Sequence, residues 1–242
     1  MREPDHLAKA ARAMLKPVVA AHGFQQYGAR VYFRLCGWIA QFLDLRKSAW
    51  GGGSFRVHQF IFLLVPPQDG IGGGFSGSLP PKGQGWDREG WWESSTPELA
   101  LRSVDEVCDI FETVAMPRFQ QASTLTGFIE ALKPQADTSR NTHFKNYVGC
   151  ALICDGRLEE GIPYLQRAER DFRAGFVKMP SAAWMETEAN YMKSLLDAIS
   201  AGQHRALLEE WFQSSVRGLK IDKKWKSNNE ANTALEPTPT AP

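Results

Sequence analysis

The hydrophobic pattern changes period three times along the chain, and each change predicts a different kind of element. After Pro4 and Asp5, the residues Leu7, Ala11, Met14, Leu15, Val18 and His22 recur at helical spacing, which predicts a helix at the start. Pro17 lies inside that pattern, so the helix kinks there or restarts with proline in a first turn. Gly23 suits the left-handed residue after a helix end.

From Ala29 the period becomes two. Val31, Phe33 and Leu35 alternate with Arg30, Tyr32 and Arg34, and Gly37 precedes a second run, Trp38 to Lys47. Gly51-Gly52-Gly53 supplies a loop, and Phe55 to Val65 forms a third run that begins alternating and ends apolar on both faces. Three consecutive strands with short connections form an antiparallel meander. A sheet of that size needs a cover, which the first helix provides.

Between Pro66 and Ser95 no period survives; the stretch is rich in Gly and Pro yet contains Phe75, Trp86, Trp91 and Trp92. It reads as a long loop with room for a short extra strand over 86–92. Thr96-Pro97-Glu98 then supplies an N-cap, a first-turn proline and an acid at the positive end of a helix dipole. Leu101, Val104, Cys108, Phe111 and Ala115 line one face, and Pro117 is expected to stop the run. Ser123 caps a second helix carrying Leu125, Phe128, Ile129 and Leu132, expected to end at Pro134, and polar residues 135–142 read as a boundary. The remainder is helical: His143 to Cys154, a turn at Asp155-Gly156-Arg157, Leu158 to Phe172, a helix from Ser181 through Ile199, and a last one near His204 to Val216.

The predicted fold class is α+β: an N-terminal helix on a small antiparallel sheet of three or more strands, followed by a C-terminal helical array. The domain reading is an α+β region over 1–135, a helical region over 140–218, and a disordered tail over 219–242, where the composition beyond Trp225 turns to Asn, Thr, Ala and Pro and cannot repay ordering entropy.

Composition narrows the function classes. Among 242 residues, 28 basic and 27 acidic side chains leave a formal charge of +1, which removes the main argument for a nucleic-acid binder. No run approaches the roughly 18 apolar residues of a membrane span. The first residues lack the apolar block of a secretory signal. The scattered Cys36, Cys108, Cys150 and Cys154 point to a reducing cytoplasm.

Two resemblances rest on particular residues. Leu15-Lys16-Pro17, His22-Gly23-Phe24, Phe42-Leu43-Asp44-Leu45-Arg46-Lys47-Ser48, Phe55-Arg56-Val57 and Met116-Pro117-Arg118-Phe119 make residues 7 to about 132 resemble the domain of unknown function 4304 family of bacteria. Arg46 stands where the resemblance leads one to expect glutamine. The family implies no catalytic residues to carry over. Over about 142–174, the placing of Gly149, Leu152, Gly161, Leu165 and Ala168, with Gly156 in the turn, resembles a single tetratricopeptide repeat. About three such repeats are needed for a stable solenoid, so the hairpin is expected to lean on neighbouring helices.

Candidate chemistry is sparse. Gly72-Gly73-Gly74-Phe75-Ser76-Gly77 fits a dinucleotide fingerprint only in spacing, because Leu79-Pro80-Pro81 follows where a helix should begin; no cofactor is expected. Cys150 and Cys154, with His143 two turns earlier, share a helical face, but a tetrahedral metal site would lack a ligand, and core packing is the reading adopted. His58, with Asp44 and Arg46 from the preceding strand, forms a polar cluster on the open sheet face. That cluster is either a solvated, cross-strand-paired surface or the active site of a hydrolase-like enzyme. Phe75, Trp86, Trp91 and Trp92 are either partner anchors or residues that fold back to close an edge of the core. Arg217 to Lys226 is a short basic run around Trp225, read as a solvated helix end. The reading that follows is a non-catalytic cytoplasmic binding protein whose partner is another protein; through the first resemblance, an immunity-type protein neutralising a toxin. The alternative is the enzyme at Asp44, Arg46 and His58.

Overall fold

The structure, a computed structural model, describes residues 5–51, 53–71, 74–82 and 90–222. Helix α1 (His6–Ala10) is capped by Asp5, whose Oδ1 accepts the Ala8 N–H at 3.1 Å. A π-helical turn (Ala11–Leu15) then leads into α2 (Lys16–Ala21). The same device recurs later: α3 (Pro97–Ile110), a π turn (Phe111–Ala115) and α4 (Met116–Gln121). The helical path therefore does not stop at Pro117, contrary to the sequence expectation. In both places the residue before the proline bonds five positions back, Lys16 N–H to Ala11 O and Met116 N–H to Phe111 O. The widened turn lets Pro17 and Pro117 enter a fresh first turn, where no N–H is required and the ring escapes the carbonyl four residues behind.

The expected meander is present and extended. Strands β1 (Gln25–Gln26), β2 (Val31–Cys36), β3 (Ile39–Lys47), β4 (Ser54–Leu63) and β5 (Phe75–Leu79) lie in that order, each antiparallel to its neighbour, and β6 (Trp92–Glu93) pairs with β4 beyond the end of β5. Both β5 and β6 fall within the stretch read as a loop; β6 overlaps the end of the short extra strand allowed over 86–92, of which residues 86–89 lie outside the described residues. The β3–β4 register sets Asp44 opposite His58 and Arg46 opposite Arg56.

Period-two alternation gives the sheet two faces. On one, Tyr32, Gln41, Leu43, Val57 and Ile61 are buried beneath the helices. The Tyr32 hydroxyl donates to Ala11 O, and Gln41 Nε2 donates to Phe119 O and Ala122 O. On the other, Phe33, Phe42 and Phe62 stack across three strands at 5.9 and 5.6 Å.

That second face is only partly open, a correction to the sequence reading. Helix α9 (His204–Gly218) and the residues after it cover one end of it. Phe212 meets Trp38 at 5.2 Å, the Ser215 hydroxyl donates to Leu64 O, and the Tyr27 hydroxyl donates to Leu219 O. Leu219 and Ile221 are buried, so the packed chain continues past 218, where the tail was placed. Residues 223–242, including Lys223, Lys224, Trp225 and Lys226, lie outside the described residues.

Between the sheet and α9 run α5 (Leu125–Thr138), α6 (Thr142–Cys154), α7 (Leu158–Lys178) and α8 (Ala183–Ser200). Helix α5 passes through Pro134, its expected end, and takes up residues read as a boundary. In the α6–α7 hairpin, Gly149 and Gly161 permit close approach. A Cβ at Gly149 would stand 2.8 Å from Leu165 Cδ2, and one at Gly161 would stand 2.6 Å from Ile153 Cδ1. Gly156, with φ at 79°, makes the turn. Among the described residues, no helix is long and apolar enough to cross a membrane.

Candidate functional site

Three places on the molecule carry the chemistry singled out from sequence. The first is the end of the second sheet face that α9 leaves uncovered. Alternation puts Asp44 and Arg46 on it from β3, and the register adds His58 and Arg56 from β4. Arg46 donates from Nε and Nη2 to Asp44 Oδ2 at 3.2 and 3.0 Å. His58 is engaged by β5 instead, its Nδ1 lying 3.2 Å from the Ser78 hydroxyl. The trio thus shares one surface, but the carboxylate is held by arginine and the imidazole by serine. The Arg56 guanidinium lies over the Trp91 ring, 3.9 Å from its centroid. At the tip of the β3–β4 hairpin, Trp50 is 97% exposed.

The aromatic residues picked out as anchors separate. Trp91 is exposed beneath Arg56, whereas Trp92 is buried and stacks on Phe55 at 5.7 Å. Trp92 turns inward at the start of β6, so of these two neighbours only Trp91 presents its indole to solvent. Phe75 stands at the far end of β4, opposite Ile61, while Trp92 is opposite Phe55. Trp86 lies outside the described residues.

The third place is a pair of adjoining clefts where the helical array meets the sheet edge. One, of about 400 Å³, lies between Gly74, Phe75 and Ser76 on one side and Gln135, Asn141, Phe144 and Tyr147 on the other. The second, of about 310 Å³, is lined by Gln68, Asp69, Asn146 and Glu188, and the two share His143 and Tyr147 as a common wall.

Asn146 is buried and fully engaged. Its Nδ2 donates to Glu188 Oε2 at 2.8 Å, and its Oδ1 accepts the Cys150 thiol at 3.3 Å. Burial raises the Glu188 pKa, with the Asn146 hydrogen bond opposing it. Burial lowers that of His143, whose ring stacks on Trp184 at 5.3 Å and meets Phe172 edge-on. Burial also pushes Tyr147 up to about 12, against the pull of the Gly74 N–H. The wall between the clefts is therefore neutral at physiological pH, and the second cleft carries two carboxyl groups.

His143 packs among Tyr147, Phe172 and Trp184, while Cys150 packs in the core and Cys154 against it. The Cys150 thiol donates to Asn146 Oδ1, and burial raises both thiols, Cys154 to about 12, away from the thiolate a nucleophile needs. Among the described residues, no group of three His, Cys, Asp or Glu is placed to hold a metal ion. The glycine run leads into a strand: Gly74, with φ at 63°, precedes β5 directly. Gly72 and Gly73 lie outside the described residues.

Sequence reasoning passed over Trp50, Asp69, Asn146 and Tyr147. The signal for Trp50 was available, since an indole beside three glycines has no neighbours to form a core. For Asn146 the one available signal is a polar residue ahead of the apolar run Tyr147 to Cys154. Compared with protein-family models, curated proteins and solved structures, the chain matches none.

Proposed function

We propose that the protein is a non-catalytic binding protein that holds another protein against the corner formed by Trp50, Arg46, Arg56 and Trp91. The observation that carries this reading is the paired arginines. Arg46 and Arg56 face each other directly across β3 and β4, an arrangement that repels. Asp44 holds one and Trp91 lies under the other, while Trp50 stands free at the tip of the same hairpin. Tryptophan and arginine are the residue types that most often dominate binding energy at protein interfaces, and guanidinium forks match carboxylates. The partner is accordingly a protein presenting carboxylates around an apolar pocket. An immunity-type role, neutralising a toxin, is the concrete form that the resemblance to the domain of unknown function 4304 family suggests.

The hydrolase-like alternative has less support at Asp44, Arg46 and His58. None of the three lines either cleft at the helix–sheet junction, and the carboxylate needed to orient the imidazole is engaged by Arg46. The test is affinity capture from extract of the source cells by the wild-type protein and by a Trp50→Ala, Trp91→Ala double variant. One stoichiometric protein retained by the wild type and lost from the variant supports the reading. Equal retention by both, or none by either, overturns it.

A further inference from the structure

Among the described residues, β5 forms an edge of the sheet, and its backbone polarity can be worked out from the ladder. Ser48 N–H bonds to Ser54 O and Leu64 N–H to Trp38 O, so the even-numbered residues of β4 turn their backbone groups toward β3. In an antiparallel ladder the alternate residues bond on the other side. Val57, Gln59 and Ile61 therefore bond to Leu79, Gly77 and Phe75, their register partners. Ser76 and Ser78 are left with their N–H and C=O groups aimed away from the sheet. Among the described residues, no strand pairs with that edge.

Exposed edges are ordinarily blunted by lysine, proline or a bulge. The sequence of β5, Phe-Ser-Gly-Ser-Leu, has no charge and no proline, and Ser76 is exposed. The larger cleft runs beside this edge, between it and the first turns of α6. Across the wall of His143 and Tyr147 lies the cleft lined by Asp69 and Glu188, which has no lysine or arginine in its lining.

We propose that the β5 edge and the adjoining clefts form a second docking site, which takes an extended segment of a partner protein as an added strand and seats an arginine or lysine side chain between Asp69 and Glu188. Backbone bonds to Ser76 and Ser78 supply affinity, as in other strand-addition interfaces, and the two carboxylates choose the side chain. The site stands apart from the arginine–tryptophan corner, so its failure leaves that reading untouched.

The test is fluorescence anisotropy with two labelled peptides, acetyl-Thr-Val-Arg-Val-Thr-Val amide and its counterpart with Glu for Arg, at about 0.15 M salt. The arginine peptide is expected to bind at least about tenfold tighter than the glutamate peptide. Glu188→Gln should shrink that ratio without weakening the glutamate peptide. Ser76→Pro, which removes an outward N–H at an edge position where proline is tolerated, should weaken the arginine peptide at least about tenfold. N-methylation of alternate amides in the arginine peptide makes the same test without altering the protein. Absence of saturation by about 1 mM, equal binding of the two peptides, or undiminished binding of the N-methylated peptide overturns the proposal.

Discussion

Gln41→Leu is the most informative single perturbation of the fold. The Gln41 side chain is fully buried on the helix-facing side of β3. Its Nε2 donates to Phe119 O at 2.7 Å and Ala122 O at 3.2 Å, and its Oε1 accepts Arg34 Nε at 2.7 Å. Those carbonyls belong to the last turn of α4, where the helix supplies no partners of its own. Leucine has similar volume but no polar atoms, so it would strand two carbonyls and one guanidinium N–H. Each costs about 1–3 kcal/mol when buried, and the added apolar burial returns about 1–2 kcal/mol. With three groups stranded, the expected net loss is about 1–8 kcal/mol, read as a lower urea midpoint with unchanged slope. Arg34→Leu in the same background removes the stranded guanidinium, so the double variant should be more stable than the sum of the single losses allows. A loss below about 1 kcal/mol for Gln41→Leu would refute the claim that this residue ties β3 to α4.

Burial holds the His143 pKa below its ordinary value of 6.5, so as pH falls through 6.5 the unfolded chain takes the proton before the native one. Stability contributed by the neutral ring is then complete above that value and lost on acidification; urea midpoints across this range should fall less steeply for His143→Phe, and an identical slope would count against the burial argument. Gly161→Val should cost about 1–3 kcal/mol by thermal melting, because its Cβ meets Ile153 Cδ1 and, at 3.0 Å, Gly149 O; a neutral result would mean that the α6–α7 contact is looser than described. Burial raises all four thiols, Cys108 to about 11 and Cys154 to about 12, so a disulfide reagent near pH 8 should label the native protein far more slowly than the unfolded chain; rapid labelling of Cys150 would contradict its placement.

The parts of the fold legible in the sequence are those whose pattern is long enough to define a period. Strands β2, β3 and β4 could be read because alternation runs through them, and the short connection between β3 and β4 brings Asp44 and His58 onto one surface. Strand β5 could not, since Phe75, Gly77 and Leu79 offer a single glycine-interrupted stretch inside a Gly- and Pro-rich region, and β6 is only Trp92 and Glu93. Pro117 and Pro134 misled for a physical reason: proline forbids a normal backbone bond but does not forbid a helix that widens or tolerates the gap. The clefts were invisible because they depend on distant segments. Asn146 and Glu188 meet across 42 positions, and the Asp69 loop is tied to α9, where the Ser215 hydroxyl accepts the Gln68 N–H.

Hydrogen–deuterium exchange on the complex with the captured protein would show whether the hairpin tip and the paired arginines form the partner surface. Slowed exchange in the β3–β4 hairpin around Trp50 and in β6 beside Trp91, with the α8–α9 turn unchanged, is the predicted result. Protection confined to the helical array, with the hairpin exchanging as in the free protein, would contradict it.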